Sequence, residues 1–443
     1  MLSARIERAR SHVLNALVRF LYLTLVVSSV ISLGTFFSGI PIYLPYIPAV
    51  LLIAGLSSVF IVNPTIQISR GEDTCVLIIA VLPLFFSNFA IYPDAALADS
   101  IVFLYFGVIY FATKYLLRIG LLTAVCLLRY LGIVFFILVS IGLLQVATRS
   151  PIGLVSLYVG SSDQIVASYD GAFRVSGTLV SPNVFGNILA LLFPVGFWVL
   201  RRQFGRKNMV AISVLLVAVV ATDILYSGSR AAFLFLSVSF ASTYIVWLRV
   251  DRSVKNKWLS ALVLVLTLLA VSTLVLMPSE GANTILDRLT MTTGSGRISM
   301  YYGALNLLQN PKILIVGSGA GQFFREVAHV GIHIDYKNWV NYNDLHSSVH
   351  NWMLQSVTEN GIIYFFAWIF FLVILFRRAL YLKRVNDDWF TFIIGLNLML
   401  LYLLPLQFDT SMNNPSILTI VAVCAALISH RARIAAKDAR QMR

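Results

Sequence analysis

Charged residues are scarce in this chain, and acidic ones are the scarcest. Of its 443 residues, 12% are charged, with 19 Asp and Glu against 33 Lys and Arg, whereas 59% are hydrophobic. The mean hydropathy of +0.85 is that of a membrane protein and excludes a soluble globular domain. No basic domain with interleaved aromatic residues lies outside the hydrophobic segments, so the net charge of +14 does not indicate a nucleic-acid partner.

Cysteine and internal repeats are also nearly absent. Cys75, Cys126 and Cys424 all fall in or beside hydrophobic segments, so the sequence predicts no disulfide framework. No clear internal repeat is present, and the inverted-repeat pattern typical of many transporters is therefore missing.

Long hydrophobic segments recur along the whole chain. Lipid offers the backbone amides no hydrogen-bond partner, so these segments predict α-helices. The sequence therefore predicts a single integral membrane domain over 1–443, all-α, with about twelve transmembrane helices. The expected spans are 17–37, 44–63, 74–92, 100–113, 130–148, 183–200, 209–226, 231–248, 258–277, 361–376, 389–406 and 416–429.

The distribution of positive charge predicts the orientation of the bundle. With a cytoplasmic N-terminus, all but eight of the 33 Lys and Arg lie in or beside cytoplasmic loops, as the positive-inside rule requires. Both termini are then cytoplasmic. The eight exceptions are Arg149, Arg174, Arg230, Arg288, Arg297, Lys312, Arg325 and Lys337.

Two predicted outer loops are long, 149–182 and 278–350. A loop of the second length is either functional or disordered. Its aromatic residues and an amphipathic helix over Arg297 to Leu308 favour order. Asn310-Pro311 ends that helix, and the glycines between 317 and 321 predict a tight turn, which could be structural or could cradle phosphate. We expect a large, partly helical outer loop.

Several outer arginines do not follow the orientation rule and are candidates for anion binding. Guanidinium groups stay charged and bind phosphate oxygens bidentately, so a cluster of them could hold a pyrophosphate. Simpler explanations exist: Arg230 could extend to lipid phosphates, and Arg174 or Arg297 could pair with Asp170 or Asp287. The candidates are Arg174, Arg230, Arg297 and, more weakly, Arg288.

His350 stands where the large loop returns to a hydrophobic span, in the pattern H-N-x9-G-x2-Y that runs to Tyr364. An imidazole at a membrane surface can accept or donate a proton near neutral pH. A structural role is the alternative, because His350 and Asn351 could simply anchor or cap the following helix.

A metal site is a further alternative. His329 with His333, and His346 with His350, form two H-x3-H pairs, and imidazoles four residues apart on a helix could hold zinc. Gly331 argues against a helix at the first pair, and the loop has neither an HExxH motif nor a cysteine. The sequence therefore favours a site without metal.

Asp223 is an acidic residue at the outer end of the predicted span 209–226. Acids inside a membrane are functional hypotheses by default. Since Arg230 follows within seven residues, the sequence predicts an internal salt bridge between them.

Four parts of the sequence together resemble the superfamily of bacterial O-antigen ligases and polymerases, over roughly 174–376. The histidine motif is the most specific of them. Ala231 replaces the usual glycine of the family's second motif. Tyr364 stands where glycine is frequent, but the ligase patterns of the family admit tyrosine there, so the H-N-x9-G-x2-Y fit favours a ligase. In chain order the parts are Arg174 with Gly177, Pro182 and Asn183; Ser229-Arg230-Ala231-Ala232; Arg297 with Gly317, Gly319 and Gly321; and His350-Asn351 with Leu354, Glu359 and Gly361.

The resemblance implies a metal-independent, inverting glycosyltransferase without a cofactor, at the periplasmic side of a bacterial inner membrane. It would transfer a glycan from undecaprenyl pyrophosphate to the lipid A–core. Arg174, Arg230 and Arg297 would hold the pyrophosphate, with a weaker contribution from Arg288, and His350 would activate or orient the acceptor hydroxyl. Asn183, Asn351 and Gly361 would support the site.

Two other functions stay open at this point. A polymerase of the same superfamily would use the same donor but a second carrier-linked glycan as acceptor; the large loop directly before the histidine motif favours the ligase. A transporter of lipid-linked glycan would also need arginines, but transporters place their charges along a path near the midplane. Here the cations gather at one face, which favours an enzyme.

Overall fold

The computed structural model describes residues 2–31, 34–37, 40–43, 46–62, 71–150, 174–179, 181–204, 209–250, 295–331, 349–407 and 413–441. These residues form a bundle of α-helices with one short β-hairpin, in which β1 (Gly34–Phe37) pairs antiparallel with β2 (Ile40–Tyr43). The helical membrane bundle is confirmed at this level. The hairpin is an element that the sequence did not predict.

The helices are α1 (Leu2–Ser28), α2 (Tyr46–Val62), α3 (Glu72–Phe86), α4 (Pro93–Arg118), α5 (Ala124–Thr148), α6 (Pro182–Phe204), α7 (Met209–Ser227), α8 (Arg230–Val250), α9 (Ser295–Leu307), α10 (Pro311–Val316), α11 (Phe323–His329), α12 (Trp352–Asn386), α13 (Trp389–Leu403) and α14 (Pro415–Gln441). Short 3-10 turns follow α3 at Ser87–Phe89 and α13 at Pro405–Gln407.

Within this described part, eight helices are long and apolar enough to cross a membrane. They are α3 with its 3-10 turn, α4, α5, α6, α8, α12, α13 with its 3-10 turn, and α14. Shorter apolar stretches lie in α1 (Asn15–Ser28) and α7 (Ala211–Ser227). The predicted span 258–277 lies outside the described residues, so the count of twelve stays a prediction.

Several predicted boundaries differ from the helices. The first span was expected over 17–37, but α1 ends at Ser28 and the hairpin follows. The basic segments at both termini, expected as loops, continue α1 and α14. Hydropathy marks where lipid ends, whereas the hydrogen-bond ladder of a helix continues into water when nothing breaks it.

Close helix packing builds the core. α4 packs on α14, α6 on α8, and α12 on both α3 and α13. Small residues allow this approach: a Cβ added to Gly107 of α4 would lie 2.7 Å from the Cβ of Ala80. Aromatic rings fill the space around α12, where Trp368 lies 5.1 Å from Phe106 and 5.2 Å from Tyr402, measured between ring centroids.

Segments that were predicted to lie on one side of the membrane contact each other. The hydroxyl of Thr178 donates to the carbonyl of Val30. The ammonium of Lys312 donates to the carbonyl of Phe89 at 3.0 Å. The two contacts join the predicted outer loops 149–182 and 278–350 to the outer halves of the predicted spans 17–37 and 74–92. The end of the bundle where they lie is called here the histidine end, because the second of these loops leads to His350.

At the opposite end, buried charges tie four helices together. Glu72 and Asp73 begin α3 and are buried. The ammonium of Lys114 on α4 lies 3.1 Å from Glu72 and 2.5 Å from Asp73. The guanidinium of Arg378 on α12 lies 2.8 Å from Glu72, which also accepts from Ser429 on α14. Arg378, which was counted among the charges that predict the orientation, is therefore an internal ion partner.

The orientation predicts which surface residues a membrane-impermeant thiol reagent reaches. Gln309, after α9, and Lys437, near the end of α14, are both exposed. In a Cys126→Ser background, where the remaining Cys75 and Cys424 are buried, Gln309→Cys should label from outside intact cells. Lys437→Cys should label only after lysis. Labelling of Lys437→Cys in intact cells would reverse the orientation.

Candidate functional site

Helix α12 is broken at Gly361, which has φ 79° and ψ 168°. In a continuous helix the carbonyls of Thr358 and Glu359 would accept hydrogen bonds from N–H groups four residues later. Here the amides of Ser318 and Gly319 donate to them instead, at 2.8 and 2.9 Å. The turn after α10 therefore docks onto the break. The predicted start of a span at 361 coincides with it.

Two glycines make this docking possible. A Cβ added to Gly317 would lie 2.3 Å from the carbonyl oxygen of Glu359, and one added to Gly361 would lie 2.1 Å from that of Ile315. Both glycines have positive φ. The amide of Gly321 donates to the Glu359 carboxylate at 3.2 Å. The amides of this turn are thus used inside the protein, which confirms the structural interpretation of the glycines over a phosphate cradle.

His350 directly precedes α12 and has a left-handed backbone conformation, with φ 53°. Such strain in a non-glycine residue persists only where neighbours impose it. Asn351 caps the helix by accepting from the Leu354 amide at 3.0 Å and donates to the carbonyl of Gln407 at 3.2 Å. The hydroxyl of Tyr301 donates to the His350 carbonyl at 3.2 Å. Asn351 thus has the capping role that was considered as its structural alternative.

Helix α9 connects one of the predicted arginines to this motif. Its bounds match those of the expected helix 297–308 within two residues at the start and one at the end, but its apolar residues do not gather on one face as expected. Arg297 lies four residues, about one helical turn, before Tyr301 in the sequence of α9. Because Tyr301 contacts the His350 backbone, the position of Arg297 is one helical turn from that contact. Arg288 lies outside the described residues.

A second group forms around Arg174. Its Nε donates to the carbonyl of Ser227 at 2.7 Å, and its Nη2 donates to the side-chain oxygen of Asn183 at 3.2 Å. Ser227 is the last residue of α7. A short turn follows it, and α8 begins at Arg230, which is exposed. The structure therefore brings Arg174 and Asn183 together, and Arg230 follows three residues after Ser227, the backbone partner of Arg174. Asp170 and Asp287, the alternative partners considered for the arginines, lie outside the described residues.

Gln145 of α5 anchors the segment that carries Arg174. Its side-chain nitrogen donates to the Gly177 carbonyl at 2.7 Å, and its oxygen accepts from the amides of Gly177 and Ser176 at 2.9 and 3.2 Å. Gln145 is buried. Sequence reasoning missed it, although a lone amide inside the apolar α5 was a signal that a backbone partner must exist.

The predicted salt bridge between Asp223 and Arg230 is wrong. Asp223 is fully buried, and neither carboxylate oxygen has a hydrogen-bond partner among the described residues. It lies one turn before the end of α7 and faces α5, where a Cβ added to Gly142 would lie 2.7 Å from its oxygen. Arg230 begins the next helix, beyond the turn, and is exposed. The two residues are close in sequence, but their side chains do not form an ion pair.

The histidine and arginine groups lie at the same end of the bundle. The 3-10 turn Pro405–Gln407 contacts both α8, which begins at Arg230, and α12. Gln407 of this turn accepts the hydrogen bond from Asn351. Chemically, the arrangement offers guanidinium groups that can bind phosphate and an imidazole that can exchange a proton.

The structure constrains the metal alternative in part. α11 ends at His329, and Gly331 has φ 72°, so His329 and His333 do not share a continuous helix. His333 and His346 lie outside the described residues. Within the described ranges, no group of three or more His, Cys, Asp or Glu residues could hold a metal ion.

Comparison of the chain with protein-family models and with curated proteins finds no match. The interpretation of the site therefore depends on its motifs, its geometry and its chemistry.

The docking of the glycine turn predicts that Gly361→Ala lowers the thermal unfolding temperature strongly. The added Cβ would collide with the Ile315 carbonyl, in addition to about 1–3 kcal/mol of backbone strain. Gly120→Ala is the matched control, because Gly120 also has positive φ but an added Cβ meets nothing within 4 Å. Thermal unfolding in detergent compares the two. Equal unfolding temperatures would contradict the proposed packing.

Proposed function

We propose that this chain is an O-antigen ligase. It would transfer a glycan from undecaprenyl pyrophosphate to the lipid A–core at the periplasmic face of the bacterial inner membrane. The observation that carries the proposal is the strained backbone of His350 at the head of the broken α12. This motif lies at the same end of a membrane bundle as the Arg174 group. Strain of this kind is typical of residues placed for chemistry.

The arginines would hold the donor. The leaving group of the reaction is a lipid pyrophosphate, which gains negative charge as the glycosidic bond to it breaks. Arg174, Arg230 and Arg297 would neutralise that charge, with Arg288 as a further contributor. Preorganised charges of this kind stabilise the transition state without a metal ion. The backbone and amide acceptors on Arg174 hold its guanidinium in place before the donor binds.

His350 would act on the acceptor. The acceptor hydroxyl attacks the anomeric carbon from the side opposite the pyrophosphate, and its proton passes to the imidazole. The bond between the anomeric carbon and the phosphate oxygen breaks, so the configuration at that carbon inverts. The proton then leaves to solvent or to the released pyrophosphate. A positioned general base contributes about 100- to 10,000-fold to such a rate.

The test is reconstitution of the purified protein in liposomes with an undecaprenyl-pyrophosphate glycan and lipid A–core. Transfer of the glycan to lipid A–core, seen as a gel shift, supports a ligase. Lengthening of the carrier-linked glycan without lipid A–core would instead establish a polymerase. Movement of intact donor between leaflets without a new glycosidic bond would establish a transporter and overturn the proposal.

We predict that His350→Ala reduces transfer in this assay by about 100-fold or more, because the general base is lost. His329→Ala is the matched control: it removes an exposed histidine at the end of α11 and should leave transfer nearly unchanged. Activity should also survive EDTA. Loss of activity in EDTA with recovery on adding one divalent ion would reassign His350 as a metal ligand.

Replacement of Arg174 by lysine should lower transfer about 10- to 100-fold. Lysine keeps the charge but cannot reach the Ser227 and Asn183 oxygens and the phosphate together, and a hydrogen bond to a charged group contributes about 1.5–3 kcal/mol. Arg325→Lys is the control, because the Arg325 guanidinium lies over the ring of Tyr92 and donates to the side-chain oxygen of Gln322, which are not partners of Arg174. Equal transfer by the two lysine variants would remove Arg174 from the donor site.

A further inference from the structure

The short helix α10 exposes apolar side chains at the histidine end of the bundle. Leu314 and Ile315 have 38% and 51% of their surface exposed, whereas Ile313 between α9 and α11 is buried. Exposed apolar residues carry information when they belong to a larger apolar surface, so the neighbours of α10 decide how these two are interpreted. α10 lies between the end of α3 and the break in α12, and these neighbours indicate what covers Leu314 and Ile315.

One side of α10 adjoins the end of α3. The ammonium of Lys312 donates to the carbonyl of Phe89 at 3.0 Å, in the 3-10 turn where the candidate span Glu72–Phe89 ends. Phe85 and Phe89 are exposed there, and their rings make an edge contact with 5.9 Å between centroids. Exposed phenylalanines at the end of a membrane span face lipid.

The other side of α10 adjoins the break in α12. A Cβ on Gly361 would lie 2.1 Å from the carbonyl oxygen of Ile315, so Ile315 is at the level where the unbroken part of α12 begins. Ile363 and Phe366 follow within the next turns and are exposed apolar residues of that span. α10 thus lies between two spans that each carry exposed apolar residues at this level.

We propose that α10 lies in the membrane interface of the leaflet at the histidine end, with Leu314 and Ile315 among the lipid acyl chains. Lipid is the partner proposed for Leu314 and Ile315, because the exposed apolar residues of α3 and α12 on either side of α10 belong to membrane spans. Lys312 stands at the edge, where a cation can remain near the headgroups. Gly317 follows α10 directly and packs against the break in α12. The contact of α10 with lipid would therefore fix the depth of His350 relative to the bilayer. The proposal does not depend on the proposed function.

Site-directed spin labelling of the full chain in liposomes tests this placement. Leu314→Cys and Ile315→Cys, each in the Cys126→Ser background, carry the nitroxide. Collision with oxygen, which concentrates in lipid, should exceed collision with a water-soluble nickel complex at both positions. Phe370→Cys, at an exposed position within the α12 span, gives the deeper lipid reference. Gln309→Cys, at an exposed polar position, should show the reverse preference.

Three outcomes decide the proposal. Oxygen preference at 314 and 315, shallower than at 370, supports it. Nickel preference at both positions, as at 309, places α10 in water and overturns it. Strong spin–spin broadening at 314 or 315, relieved by dilution with unlabelled protein, would assign the surface to a second copy of the chain and overturn the lipid assignment.

Discussion

The exchange of hydrogen bonds at the break in α12 is the interaction on which the histidine end depends. A helix that stops and restarts leaves carbonyls without partners, and in a low-dielectric region each one costs free energy until another donor reaches it. The glycine turn after α10 supplies those donors to Thr358 and Glu359. Without the glycine turn, the carbonyls of Thr358 and Glu359 would lose these donors, and without the break the turn would lose its acceptors. Loop and span are therefore one structural unit at this point.

This unit also explains how a loop can position chemical groups with the precision of a rigid element. His350 is held through its own carbonyl by Tyr301 and through its neighbour by Gln407. Arg174 is held by a carbonyl at the end of α7 and by the first turn of α6. The partners of Arg174 come from two helices of the bundle, and those of His350 and Asn351 come from the loop helix α9 and the 3-10 turn after α13. A group that is positioned before a ligand binds loses less entropy when it does.

The sequence predicted what depends on local pattern and missed what depends on long-range contact. The spans follow from hydropathy, and the placement of His350 before a span at Gly361 follows from the motif. The anchor at Gln145 joins residues more than thirty positions apart, and no periodicity encodes such a contact. The pairing of Asp223 with Arg230 failed for the opposite reason: neighbours in sequence diverged at a turn. Proximity along a chain is a poor guide wherever one helix ends and another begins.

The buried charges at the opposite end have a consequence for the order of assembly in the membrane. Glu72 and Asp73 are synthesised early, and Lys114 follows with the next helix, so the first neutralising contact is available almost at once. Arg378 belongs to α12 and is synthesised about three hundred residues after Glu72. Until then Glu72, in the pair of helices α3 and α4, has only one of its two cationic partners, Lys114. The complete set of ion pairs at this end of the bundle can therefore form only after α12 has been synthesised.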